Sequence, residues 1–75
     1  MTMIGNDGKP VSKEGLRQHL AAYNTQSRGS KEFAAIPRAL VTVCDNLKAG
    51  KTTYVKCLDG QLQLSRRKDN SVQAA

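Results

Sequence analysis

Seventy-five residues with a formal net charge of +6 make one small, basic domain. A chain this size buries only about 60% of its unfolded surface, so stability is marginal unless a homodimer adds burial. The start, Met1-Thr2-Met3-Ile4-Gly5, lacks the charged end and apolar run of an export signal, and nothing approaches the ~20 apolar residues of a membrane span. A soluble cytoplasmic protein without a membrane partner is therefore expected.

Residues 1–11 read as a flexible arm or a short strand, with a turn at Asn6-Asp7-Gly8, where all three residue types tolerate positive φ. Ser12 can cap a helix over 13–24 by accepting a bond from an orphan N–H. Leu16, Leu20 and Tyr23 fall on one face of it, with Lys13, Arg17 and Gln18 off that face. The polar run Thr25-Gln26-Ser27-Arg28-Gly29 ends the helix. Ser30 is a second cap, with Glu32 in the first turn, where the helix dipole favours an acid.

Phe33, Ile36, Leu40, Val43, Cys44 and Leu47 then form a core-facing stripe, opposite Lys31, Ala35, Arg38, Thr42 and Asp45. Pro37 removes a backbone donor, which divides the run into a short helical turn at 31–35 and a main helix at 37–49. Gly50 suits the left-handed stop and Lys48 the helix C-terminus. A rival reading makes Leu40-Val41-Thr42-Val43-Cys44 a strand, because β-branched residues favour pleated surfaces. It leaves Phe33, Ile36 and Leu47 without a role.

Asp59-Gly60 is the expected two-residue tip of a β-hairpin with strands 52–58 and 61–66. Building outward pairs Leu58 with Gln61, Cys57 with Leu62, and Val55 with Leu64. Val55, Cys57, Leu62 and Leu64 then share one face, while Tyr54, Lys56, Gln61, Gln63 and Ser65 share the other. Arg66-Arg67-Lys68 follows, and Asp69 to Ala75 reads as a disordered tail. The expected fold is α+β, two main helices and a C-terminal hairpin, in one domain spanning 12–68.

No catalytic constellation is visible. His19, the lone histidine, sits beside Leu16 and Leu20 as a boundary residue, and the six acids form no close pair for acid–base work. Ala49-Gly50-Lys51-Thr52 echoes a phosphate-binding loop but lacks the earlier glycine and runs from helix to strand, the reverse of that motif. Cys44 and Cys57 read as reduced, buried thiols, and with His19 they fall short of the four ligands a structural zinc site needs. The chain is expected to be no enzyme and to carry no cofactor or metal.

The remaining signal is charge. Residues 28–68 hold nine Lys and Arg against three Asp and Glu, the whole net excess. Such an excess on a helix-plus-hairpin unit points to a polyanion, with Lys31, Arg38, Thr42, Lys56, Arg66, Arg67 and Lys68 as candidate contacts. The bland alternative is that the charge only keeps a small protein soluble. Asp45 on the same helix face counts against a DNA-reading helix, and few exposed aromatics count against single-strand binding, for which Tyr54 is the one stacking candidate.

The order helix, polar turn, helix, hairpin with an Asp-Gly tip and basic exit, carried by Leu16, Leu20, Leu40, Leu47, Asp59-Gly60 and Leu62 to Leu64, resembles a reduced winged helix-turn-helix module. In that family the second helix of the motif enters the major groove and the wing touches backbone. The resemblance implies Lys31, Arg38 and Thr42 at the groove, and Lys56 and Arg66 at the wing. The leading expectation is a small regulatory protein that binds nucleic acid, duplex DNA in this picture. The alternative is an inhibitor or accessory module that docks on an acidic protein surface, or pairs its hairpin edge with a partner strand. A structural subunit is the vaguest option.

Overall fold

Ser12 and Ser30 cap as expected. Their hydroxyls accept from the backbone N–H groups of Gly15 and Phe33, each at 3.1 Å, and start two helices. The computed structural model describes residues 2–75 and contains α1 (Lys13–Thr25), α2 (Lys31–Ala34), α3 (Arg38–Asn46), β1 (Thr52–Cys57), β2 (Gly60–Arg66) and β3 (Val72–Ala74). The strands form one antiparallel sheet in the order β1-β2-β3, so the α+β expectation is met, with one strand more than anticipated. Leu40 to Cys44 lie in α3, which disposes of the strand reading. None of the described helices is long and apolar enough to cross a membrane.

The helices cover one face of the sheet. Leu16 and Leu20 from α1, Ile36 before α3, and Leu40 and Cys44 on it meet Val55, Cys57, Leu62 and Leu64 from the strands in one buried cluster. Leu47, just past α3, closes one end. Tyr23 is only half-buried and packs its ring 5.9 Å from that of Phe33. Both cysteines are free and buried, and burial pushes the Cys44 thiol up to about 11.

Four expectations need correction. The hairpin register is Val55↔Leu62, Cys57↔Gly60 and Thr53↔Leu64, two residues from the predicted pairing. A two-residue slip preserves the side-chain alternation, so the apolar face survives and pattern alone cannot exclude it. The tip is Leu58-Asp59, and both have negative φ, whereas the predicted primed turn needs positive φ at its two central residues. Gly60 follows the tip with φ 136°. The α1 segment clamps this tip. Asp59 Oδ1 accepts from the Lys13 N–H at 2.8 Å and the Leu58 N–H donates to the Val11 carbonyl at 2.8 Å.

The main helix ends at Asn46 rather than 49. Leu47 turns inward, and Gly50, with φ 79°, serves a turn in which the Lys51 N–H donates to the Lys48 carbonyl at 3.0 Å.

The arm at 1–11 is packed where it is described; Met1 lies outside the described residues. Met3 is 1% exposed, donates its N–H to the Lys56 carbonyl at 2.7 Å and accepts from the Val11 N–H at 3.0 Å. The expected turn closes it, with the Gly5 N–H donating to the Lys9 carbonyl at 2.8 Å.

The tail is β3. Val72 is 1% exposed, and the Asn24 side chain behaves as a neighbouring strand towards it, accepting from the Val72 N–H at 3.0 Å and donating to its carbonyl at 2.9 Å. These bonds cover the outer edge of β3 at Val72. The outer edge of β1 is covered by Met3 and Val11 at the Lys56–Leu58 end. Lys56 aims its carbonyl outward to Met3, so by the two-residue period Tyr54 and Thr52 present their backbone groups at the same, open edge.

Candidate nucleic-acid interface

The seven predicted contact residues fall into separate groups. Lys31, Arg38 and Thr42 occupy the exposed side of α2 and α3, turned away from the sheet. Lys56 lies on the opposite, solvent face of the sheet, since its neighbours Val55 and Cys57 are buried against the helices. A two-layer fold thus puts the presumed groove helix and the presumed wing lysine on opposite sides of the molecule. The Thr42 hydroxyl donates to the Arg38 carbonyl one turn back at 3.0 Å, so its proton is already used.

The α3 N-terminus is also occupied. Asn6 Oδ1 accepts from the Arg38 N–H at 3.1 Å, and its Nδ2 donates to the carbonyls of Ile36 at 3.1 Å and Ala34 at 3.3 Å. This side chain does the capping that Pro37, the cap residue, cannot. It also brings the turn carrying Asp7 against the helix end that a groove-reading helix presents to phosphate. Beside it, a shallow groove between α2 and α3 is floored by Phe33, Ile36 and Val41 and rimmed by Arg38.

Arg66 is a correction of a different kind. Continuing the alternation Leu62, Leu64 by one step puts Arg66 on the core side, opposite Val72. Its guanidinium donates to the carbonyls of Cys44, Leu47 and Asn70, each at 2.5 Å, and to the Tyr23 hydroxyl at 3.1 Å. It therefore bonds carbonyls at and just past the end of α3 and ties the helical layer to β2, and is no free surface cation.

The Tyr23 hydroxyl passes the network on, donating to Asp45 Oδ1 at 2.6 Å. Arg28 grips the same carboxylate with two bonds, Nη1 to Oδ2 at 2.9 Å and Nη2 to Oδ1 at 2.5 Å, and lies 5.8 Å over the Tyr23 ring and 5.2 Å over that of Phe33. The Arg28 bonds, then the Tyr23 hydroxyl, hold the Asp45 carboxyl down at about 2. Tyr23 is itself raised, first by burial and then by Asp45. Asp45 is thereby neutralised by a neighbour outside its helix, which the α3 sequence by itself does not reveal. His19 is half-buried, and its burial lowers its pKa, favouring the neutral ring.

What the fold does assemble is a cluster at one end of the sheet. The Gly50 N–H donates to the Arg66 carbonyl at 2.8 Å and the Arg66 N–H to the Lys51 carbonyl at 3.1 Å, so the loop before β1 lies beside the exit of β2. That exit turns back through bonds from the Arg67 N–H to the Ser71 carbonyl at 2.8 Å and from the Asn70 N–H to the Arg67 carbonyl at 2.9 Å. Lys48, Lys51, Arg67 and Lys68 therefore share this end, all exposed. The one acid in these loops, Asp69, is held low by its bonds to the Ser71 hydroxyl and N–H, at 2.7 and 3.0 Å. Arg67 and Lys68 are among the expected contacts, whereas the sequence pattern offers Lys48 only as a helix C-terminal charge and Lys51 only within the Ala49-Gly50-Lys51-Thr52 echo. The hairpin register, which fixes where the two loops meet, is the signal that joins them.

In comparison with known proteins, no family model, no curated protein and no solved structure matches the chain.

Proposed function

We propose that this chain is a small, non-enzymatic nucleic-acid-binding protein of regulatory type, and that the cations at the sheet end are its phosphate contacts. The observation that supports this most is the meeting of Lys48, Lys51, Arg67 and Lys68 across two loops held by backbone hydrogen bonds. Four cations on a preordered backbone attract a polyanion at little further ordering cost, and counterion release adds to the attraction. Lys31 and Arg38 belong to a second, weaker basic face, and Arg66 belongs to the scaffold.

The test is fluorescence anisotropy with labelled oligonucleotides across a salt series, comparing the wild type with Lys51→Ala/Arg67→Ala. Binding should weaken, and the slope of log affinity against log salt should flatten by about 0.7 to 0.9 for each phosphate contact removed. Absence of binding to any oligonucleotide at low salt would refute the reading. A second reading, an accessory module docked on an acidic protein, draws on the open β1 edge at Thr52 to Tyr54, which a partner strand can extend. Recovery of a protein partner from lysate after nuclease treatment, together with failure in the anisotropy assay, favours it.

A further inference from the structure

Resting on that reading, we infer that the ligand is a single strand, and that it runs from the sheet-end cations onto the solvent face of the sheet, where Tyr54 stacks on a base. This face carries Tyr54 and Lys56 on β1, Gln61, Gln63 and Ser65 on β2, and Gln73 on β3, with no carboxylate among them. Tyr54 is 61% exposed, while the other tyrosine, Tyr23, is engaged with Asp45 and Arg66. Among the described residues the amides of Gln61 and Gln63 have no side-chain hydrogen-bond partner, so donors and acceptors stand free beside the ring for base edges. Lys56 is the next residue but one after Tyr54 and shares this face, and Lys51, in the loop just before β1, belongs to the cluster at the sheet end. A polar surface with one cation and one exposed ring, adjoining the sheet-end cluster, suits a backbone that is followed while a base lies down on the ring.

A duplex fits less well. It keeps its bases stacked inside, and groove reading needs a projecting helix or ribbon. The α3 N-terminus is capped by Asn6 with Asp7 beside it. Lys56 on the face and the four cations at the sheet end complement phosphate, which separates this ligand from a neutral peptide or a second copy of the same basic chain.

The experiment compares wild type, Tyr54→Ala, Tyr54→Phe and Lys51→Ala/Arg67→Ala for binding to single-stranded DNA, single-stranded RNA and a duplex of one sequence. Melting temperatures serve as the control for folding. Single strands should bind more tightly than the duplex. Tyr54→Ala should weaken single-strand binding about 5- to 100-fold, the range of one lost base stack, while Tyr54→Phe retains it. With no Trp and two Tyr in the chain, quenching of tyrosine emission on binding gives an independent readout that Tyr54→Ala should abolish. A difference between the DNA and RNA arms would show whether the 2′-hydroxyl is read. Duplex binding as tight as single-strand binding, or Tyr54→Ala binding like wild type while Lys51→Ala/Arg67→Ala is weakened, would overturn this inference and leave the phosphate reading standing. No binding by the wild type to any of the three would overturn both.

Discussion

Replacing Arg66 with Ala should destabilise the fold far more than replacing Arg67, although the two are adjacent and carry the same charge. Arg66 bonds the carbonyls of Cys44, Leu47 and Asn70 and the Tyr23 hydroxyl, whereas Arg67 is exposed. Deleting the guanidinium leaves the part-buried Leu47 carbonyl without its donor, at a cost of about 1–3 kcal/mol, and removes three further bonds, although the Cys44 carbonyl keeps the Leu47 N–H. Water can reach part of this half-buried site, so the expected net loss is about 2–4 kcal/mol rather than the sum of four bonds. A 75-residue domain holds only about 4–11 kcal/mol in total. At about 4–8 °C per kcal/mol, the melting temperature should fall by at least about 8 °C. Arg67→Ala should stay within about 0.5 kcal/mol of wild type. Arg66→Lys should lie near Arg66→Ala, because one ammonium cannot reproduce a planar fork spread over four acceptors. Urea and thermal melts followed by far-UV circular dichroism would measure all three. If Arg66→Ala melts with Arg67→Ala, the anchoring role is wrong and Arg66 returns to the list of surface contacts.

Further expectations concern the same scaffold. The Asp45 carboxyl is held at about 2 against an ordinary 3.8, so the stability it provides is complete above pH 4 and is lost as pH falls towards 2. Asp45→Asn should flatten that acid limb of the melting profile, and since the pair is well exposed the effect should shrink in high salt; an unchanged limb would mean that other carboxylates set it. Asn6→Ala removes the polar cap from α3 and should cost about 1–2 kcal/mol in a urea melt, with amide exchange accelerated first at Arg38; protection left intact there would contradict the capping role. Leu40 is fully buried, and Leu40→Ala should cost about 2–5 kcal/mol, enough to unfold much of the population, whereas an unaltered melt would mean that the stripe on α3 faces solvent.

Local chemistry was legible in the chain itself. The Ser12 and Ser30 caps, the stripe through Ile36, Leu40 and Cys44, the turn at Asn6 to Gly8, and the alternation of Val55, Cys57, Leu62 and Leu64 all rest on neighbours within a few residues, where spacing and residue type carry the information. Tertiary structure decided whatever depends on partners distant in the chain. The hairpin register is one case. Two pairings share one alternation, and the choice between them goes with Val11 and Lys13 gripping Leu58 and Asp59 across 46 or more residues. The tail is another, since Val72-Gln73-Ala74 becomes a strand whose outer side Asn24 bonds at Val72 from 48 residues away. The roles of the charges divide in the same way. Composition supplied the +6, but which arginine is scaffold and which is surface was settled by the direction each side chain leaves the sheet, inward for Arg66 towards the carbonyls at the end of α3 and outward for Arg67 to water. A helix end leaves orphan acceptors wherever it stops, and only folding determines which cation lies near enough to satisfy them.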